Sequence, residues 1–152
     1  MEDVETNKLL RTAKLIYIFF LAAILIYIDI LRRWNLIVHS ALFEESTVRL
    51  ATVVLAVLGV SALASTYFLP QLMIKGFKKK PNLKRKTGFW LSLMVVRAAM
   101  FEAIVIYGLI LGILGANLRI IWPFFVMPAV GLLITFPTKS RMEKVLAEIA
   151  EA

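Results

Sequence analysis

The sequence predicts an all-α integral membrane protein, with four transmembrane helices and a short cytoplasmic amphipathic helix at the C-terminus. Three observations lead there. Hydrophobic residues make up 61% of a 152-residue chain, more than a soluble domain of that size can cover with polar surface. They fall into four continuous blocks, residues 15–31, 50–74, 89–114 and 120–136, with the charge clusters between them. Each block meets the requirement of roughly 17–25 apolar residues for a helix to cross a hydrocarbon core of about 30 Å, the last only just. Membrane strands fit poorly, because such strands alternate in polarity and need only about 10 residues. At this length one domain is expected, spanning residues 1–152.

The first block is too long for a secretory signal, and the "MEDVETNK" before it mixes acids with bases, so it reads as a retained span. At its far end Asp29 and Arg33 stand one turn apart, acid first, beside Arg32 and Trp34. That pattern predicts an interfacial ion pair. The apolar residues Leu36, Ile37, Val38, Leu42 and Phe43 of the following loop are expected at the headgroups, with His39 as a solvated or interfacial residue.

The second span runs into "KGFKKKPNLKRK", residues 75–86. Its bases, Lys75, Lys78, Lys79, Lys80, Lys84, Arg85 and Lys86, are expected to meet anionic lipid headgroups, each contributing on the order of 1 kcal/mol. No nucleic-acid recognition module surrounds them, so no nucleic-acid partner is expected. Between the third and fourth spans "GANLR" is short enough to force an antiparallel hairpin. The fourth contains Pro123 and Pro128, and a kink is expected where Pro128 removes a backbone donor. Beyond Pro137, Ser140 and Glu143 form a capping-box pattern, and Met142, Val145, Leu146 and Ile149 repeat at helical spacing. A surface helix is therefore predicted over residues 140–151, able to dock on lipid or on a partner.

Sidedness follows from Lys and Arg near the ends of the spans. With four spans, both termini and the middle loop share one side, which carries thirteen bases against four on the other, Arg32, Arg33, Arg49 and Arg119. Both termini are thus expected in the cytoplasm, in a bacterial or archaeal plasma membrane. The chain has no cysteine and one histidine, which excludes disulfides, iron–sulfur clusters, thiolate zinc and a bis-histidine haem supplied by this chain. No cofactor or metal is expected. Neither a nucleophile–base pair nor a phosphate loop is present, and an enzyme is not expected.

The third span carries two ionisable residues, Arg97 and Glu102. Counted from Trp90 as the interface residue, Arg97 lies about 10 Å deep and Glu102 about 18 Å. The arginine can snorkel toward phosphates, whereas the carboxylate sits near the midplane and needs a partner or a proton. Five residues apart, the two are rotated by ~140° and do not face each other. If Ile74 and Gly88 are level, Glu102 lies opposite Val60 and Ser61, and Arg97 opposite Ser65. A protonated Glu102 donating to Ser61 of span two or to a backbone carbonyl would be satisfied. Gly108, Gly112 and Gly115 predict a close-packing face, with Gly108 and Gly112 forming a GxxxG.

The stretch "FEAIVIYGLILGIL", residues 101–114, resembles the carboxylate-bearing helix of the proton-binding c subunit of rotary ATP synthases. In that family a midmembrane glutamate is followed by alanine and then an Ile-Tyr-Gly-Leu run. The resemblance implies that Glu102 is an ion-carrying carboxylate with Tyr107 as the aromatic after it, and that Ala103 marks a proton-type member. It is confined to this span. Gly59 is the one glycine of span two, where the c subunit has a glycine run, and spans one and four have no counterpart in its single-hairpin form.

Two functions are therefore expected. The first is a small non-catalytic polytopic membrane protein, an accessory or assembly subunit of a larger membrane complex. In it Arg97 and Glu102 are packing contacts, and the glycine stripe meets a membrane-protein partner or a second copy in a homo-oligomer. The alternative is a proton-handling, c-subunit-like protein with Glu102 as the membrane carboxylate and Arg97, Tyr107, Ser61 and Ser65 around it.

Overall fold

A computed structural model of the chain describes residues 2–37, 43–77 and 83–150, with side chains over 6–34, 43–76 and 88–147. Among the described residues the secondary structure is entirely helical: α1 (Glu2–Ile37), α2 (Glu45–Phe77), α3 (Leu83–Ile113), α4 (Leu118–Ile134) and α5 (Lys139–Ala150). Three helices hold stretches long and apolar enough to cross a membrane, Thr6–Trp34, Glu45–Gly76 and Gly88–Ile113. This is what an integral membrane protein of the all-α class requires. At 17 residues α4 spans only about 26 Å, and it reaches the same standard only together with α5, from which it turns by 74°. His39, Val38, Leu42, Lys78, Lys79 and Lys80 fall outside the described residues.

The helix ends show how the sequence terminates each rod. Gly115, expected on a packing face, is the left-handed residue that stops α3, with φ 87°. The amide of Ala116 donates to the carbonyl of Leu111 at 2.9 Å, and that of Gly115 to Gly112 at 3.2 Å. This closing pattern suits glycine, which has no Cβ to strain. Asn117 then caps α4, its side-chain oxygen accepting from the amide of Arg119 at 2.9 Å. α4 runs as one helix through Pro123 and Pro128. It ends over residues 135–138, where the chain turns by 74° into α5, and ahead of that turn the Thr135 hydroxyl donates to the Gly131 carbonyl at 2.7 Å. The capping box predicted at Ser140 is displaced. Thr138 is the residue that caps α5, its hydroxyl accepting from the amide of Arg141 at 3.4 Å and its carbonyl from that of Met142 at 3.1 Å.

α3 is the hub. It packs against α1, α2, α4 and α5, and 39% of its apolar window is buried, against 22% for α1 and 6% for α2. α1 runs parallel to α3: Tyr17 meets Met94, Tyr27 meets Glu102 and Leu31 meets Gly112. α4 returns antiparallel, with Phe124 and Phe125 over Gly108 and Phe101 over Gly131. This is the hairpin that the short "GANLR" connection required. α2 is antiparallel too, placing Gly59 beside Ile104 and Phe124, one residue from the register read off the sequence.

The glycine stripe is spent inside the chain. A Cβ on Gly108 would come within 2.6 Å of Phe124, and one on Gly112 would overlap Leu31. Both glycines are covered by the chain's own α4 and α1, so the GxxxG offers no free face to a second copy. Trp90, taken as the interface residue, is 1% exposed and belongs to the core with Tyr17, Leu93 and Met142.

Candidate functional site

The polar residues of the bundle separate into two places on α3. At the first, the Tyr27 hydroxyl of α1 donates to Oε1 of Glu102 at 3.1 Å. The parallel course of α1 and α3 sets the two residues at one level, and both are half-buried. The expected partner, Ser61, is not there. Its hydroxyl donates to the Val57 carbonyl of its own helix at 2.9 Å, and Ser65 likewise donates to the carbonyl of Ser61 at 2.8 Å. Inside a membrane a hydroxyl satisfies itself this way when no neighbour offers an acceptor. Ser61 faces outward on α2, away from Glu102. Tyr107 is half-buried and stands five residues beyond Glu102, a spacing that does not bring the two side chains together. The structure thus joins Glu102 to a residue of span one that the sequence reading passed over. The signal was available, because Tyr27 and Glu102 each lie about a dozen residues in from Lys14 and Trp90 on two spans that enter from the same side.

At the second place, Arg97 faces a cavity of about 450 Å³ between the ends of α2 and α3 and the turn into α5. Lys75, Arg141 and Lys144 line the same cavity, with Gln71 and Thr135. No Asp or Glu is among its described lining residues. The Nε of Arg97 is buried and finds no hydrogen-bond partner among the described residues. Arg141 is partly occupied: its guanidinium donates to the carbonyl of Ile134, and to that of Phe136 at 3.2 Å, capping the exposed carbonyls at the end of α4. Arg97 and Glu102 do not pair. The ion pairs among the described residues are Asp29–Arg33 at 2.8 Å, Glu45–Arg49 at 3.4 Å and Lys139–Glu143 at 3.9 Å, all exposed. The first is the Asp29–Arg33 pair that the sequence predicted. Lys84, Arg85 and Lys86 lie on the opening turns of α3, at the same end of the bundle as the cavity.

Among the described residues no three His, Cys, Asp or Glu side chains gather where they could hold a metal ion. The chemistry available is a hydrogen-bonded carboxylate between two helices and, separately, a set of cations around a cavity. Comparisons with family models, with curated proteins and with solved structures match nothing to this chain.

Proposed function

We propose that this chain is a non-catalytic four-span membrane protein with both termini in the cytoplasm, serving as an accessory or assembly subunit of a larger membrane complex. The observation that carries the reading is the one-sided packing of α2. Only 6% of its apolar window is buried, and it offers the small residues Ser61 and Ala64 outward, flanked by Val57, Val60 and Phe68. Small residues on an outward membrane face let another helix approach closely. The glycines of α3 are already covered, so α2 is where a partner helix would sit. In this reading Tyr27–Glu102 fixes how α1 lies on α3, and α4 counts as the fourth span despite its length.

The test is co-purification from native membranes in mild detergent, comparing the natural chain with Ser61→Phe and Ala64→Phe. Retention of a defined membrane-protein partner by the natural chain, and its loss in both variants at unchanged accumulation, is the expected result. An unaccompanied chain, or full retention by both variants, contradicts the reading.

A second reading is favoured by one contact. The Tyr27 phenol on Glu102 is a group that can give and accept a proton hydrogen bond, as a proton-handling, c-subunit-like carboxylate would use. Glu102→Gln that accumulates normally but abolishes membrane proton flux supports this reading, whereas unchanged flux removes it.

A further inference from the structure

Arg97, Lys75, Arg141 and Lys144 reach one cavity from α2, α3 and α5 although the residues are scattered over half the chain. Like charges brought together with no acid among the described lining residues repel, and a guanidinium on a membrane-spanning helix whose buried Nε finds no partner among the described residues lacks the acceptor that such a group needs. An anion entering the cavity supplies both the missing acceptor and the missing charge. Guanidinium groups suit a phosphate best, because their planar donors match its oxygens.

The surroundings specify the rest of the ligand. The volume, about 450 Å³, lies within the roughly 300–1,000 Å³ usual for small-molecule sites. Leu93, Met94 and Val145 give the cavity apolar walls. Beside it α2 exposes Tyr67 and Leu72, each more than half exposed. A charged pocket that continues into an apolar helix flank fits an amphiphile better than a free ion.

We propose that this cavity binds the phosphate headgroup of an anionic phospholipid, with the acyl chains lying against Tyr67 and Leu72 of α2. The site rests on the membrane placement of the helices and is independent of Glu102 and of any partner on Ser61. Arg97 is its deepest ligand, Lys75 and Lys144 close it from the exposed side, and Arg141 bridges the headgroup to the end of α4.

The full chain, purified in neutral detergent, is titrated with dioleoyl phosphatidic acid or dioleoyl phosphatidylcholine, and bound lipid is read by native mass spectrometry. Preferential binding of phosphatidic acid is expected. Lys75→Gln with Lys144→Gln, both at exposed side chains, should weaken it about thirtyfold if each base contributes as surface cations ordinarily do. Arg32→Gln with Arg33→Gln, at the opposite end, should leave it unchanged. Arg97→Gln should abolish the preference, and if that variant does not accumulate, the two lysine substitutions decide alone. Equal binding of both lipids, or equal weakening by the Arg32 and Arg33 substitutions, overturns the site. Displacement of the lipid by inorganic phosphate at the same concentration would assign the cavity to a soluble anion and overturn the lipid.

Discussion

Arg97 and Glu102 sit five residues apart on one helix, yet their surroundings are opposite. Glu102 points toward α1, where Tyr27 donates to it and where, further along, Leu31 lies over Gly112. On that side α1 lies against α3, with Tyr27 and Glu102 half-buried. Arg97 points toward the end of α2 and the turn into α5, where a cavity separates the helices and every charged residue among its described lining is a base. The contrast follows from what stands opposite each residue. A continuous helix at van der Waals distance offers the carboxylate a phenol, whereas the bend of 74° between α4 and α5 opens a gap beside the guanidinium. A polar group that is satisfied within the fold needs no partner from outside it. One left without an acceptor at membrane depth points outside the fold for its partner.

Substitutions on the two sides should therefore behave differently. The largest effect is expected on the α1 side: Gly112→Leu forces a side chain into the space of Leu31 and should cost about 3 kcal/mol or prevent accumulation. Thermal unfolding in detergent reads this directly, and a neutral outcome would mean that α1 does not lie on α3. Glu102→Ala leaves the Tyr27 hydroxyl without its acceptor, with an expected loss of about 1–2 kcal/mol, while Glu102→Gln keeps an acceptor oxygen and should lose less. Tyr27→Phe removes only the hydrogen bond, which between membrane helices averages about 0.6 kcal/mol. A double-mutant cycle of Tyr27→Phe and Glu102→Ala should show coupling of that size, and additive effects would mean that the two do not touch. Smallest of all, Asp29→Asn should change stability by less than about 0.5 kcal/mol, because the pair with Arg33 is exposed. On the cavity side, Arg97→Gln should leave unfolding in lipid-free detergent nearly unchanged and act on ligand-dependent stability instead.

Much of this was legible in residue order. The apolar blocks gave the long helices, "GANLR" the antiparallel return of α4, and the hairpin count from Ile74 and Gly88 a register for α2 that the Gly59–Ile104 approach meets to within a residue. What escaped is non-local. Loop lengths tie only neighbouring helices to each other, so they pointed Glu102 at span two, while its partner Tyr27 comes from a helix separated by a whole span. The small residues of 59–66 looked inward because they suit close packing, but a composition cannot say which side of a helix the chain itself covers. Likewise, the GxxxG signalled close approach without naming the occupants, which are Phe124, Phe125 and Leu31. The cavity depends on α5 folding back beside α2 and α3. Lys139, Arg141 and Lys144 read as topogenic charge in a linear sequence, and only the turn after α4 sets Arg141 and Lys144 beside Arg97.

The chain has no cysteine, so single cysteines report without background. The most direct measurement compares Arg97→Cys with Glu102→Cys in membrane vesicles of both orientations, using an anionic, membrane-impermeant thiol reagent. The account predicts rapid labelling at position 97 from the cytoplasmic face alone and protection at position 102 from both faces. Labelling at 102 as fast as at 97, or labelling at 97 from the opposite face, would contradict it.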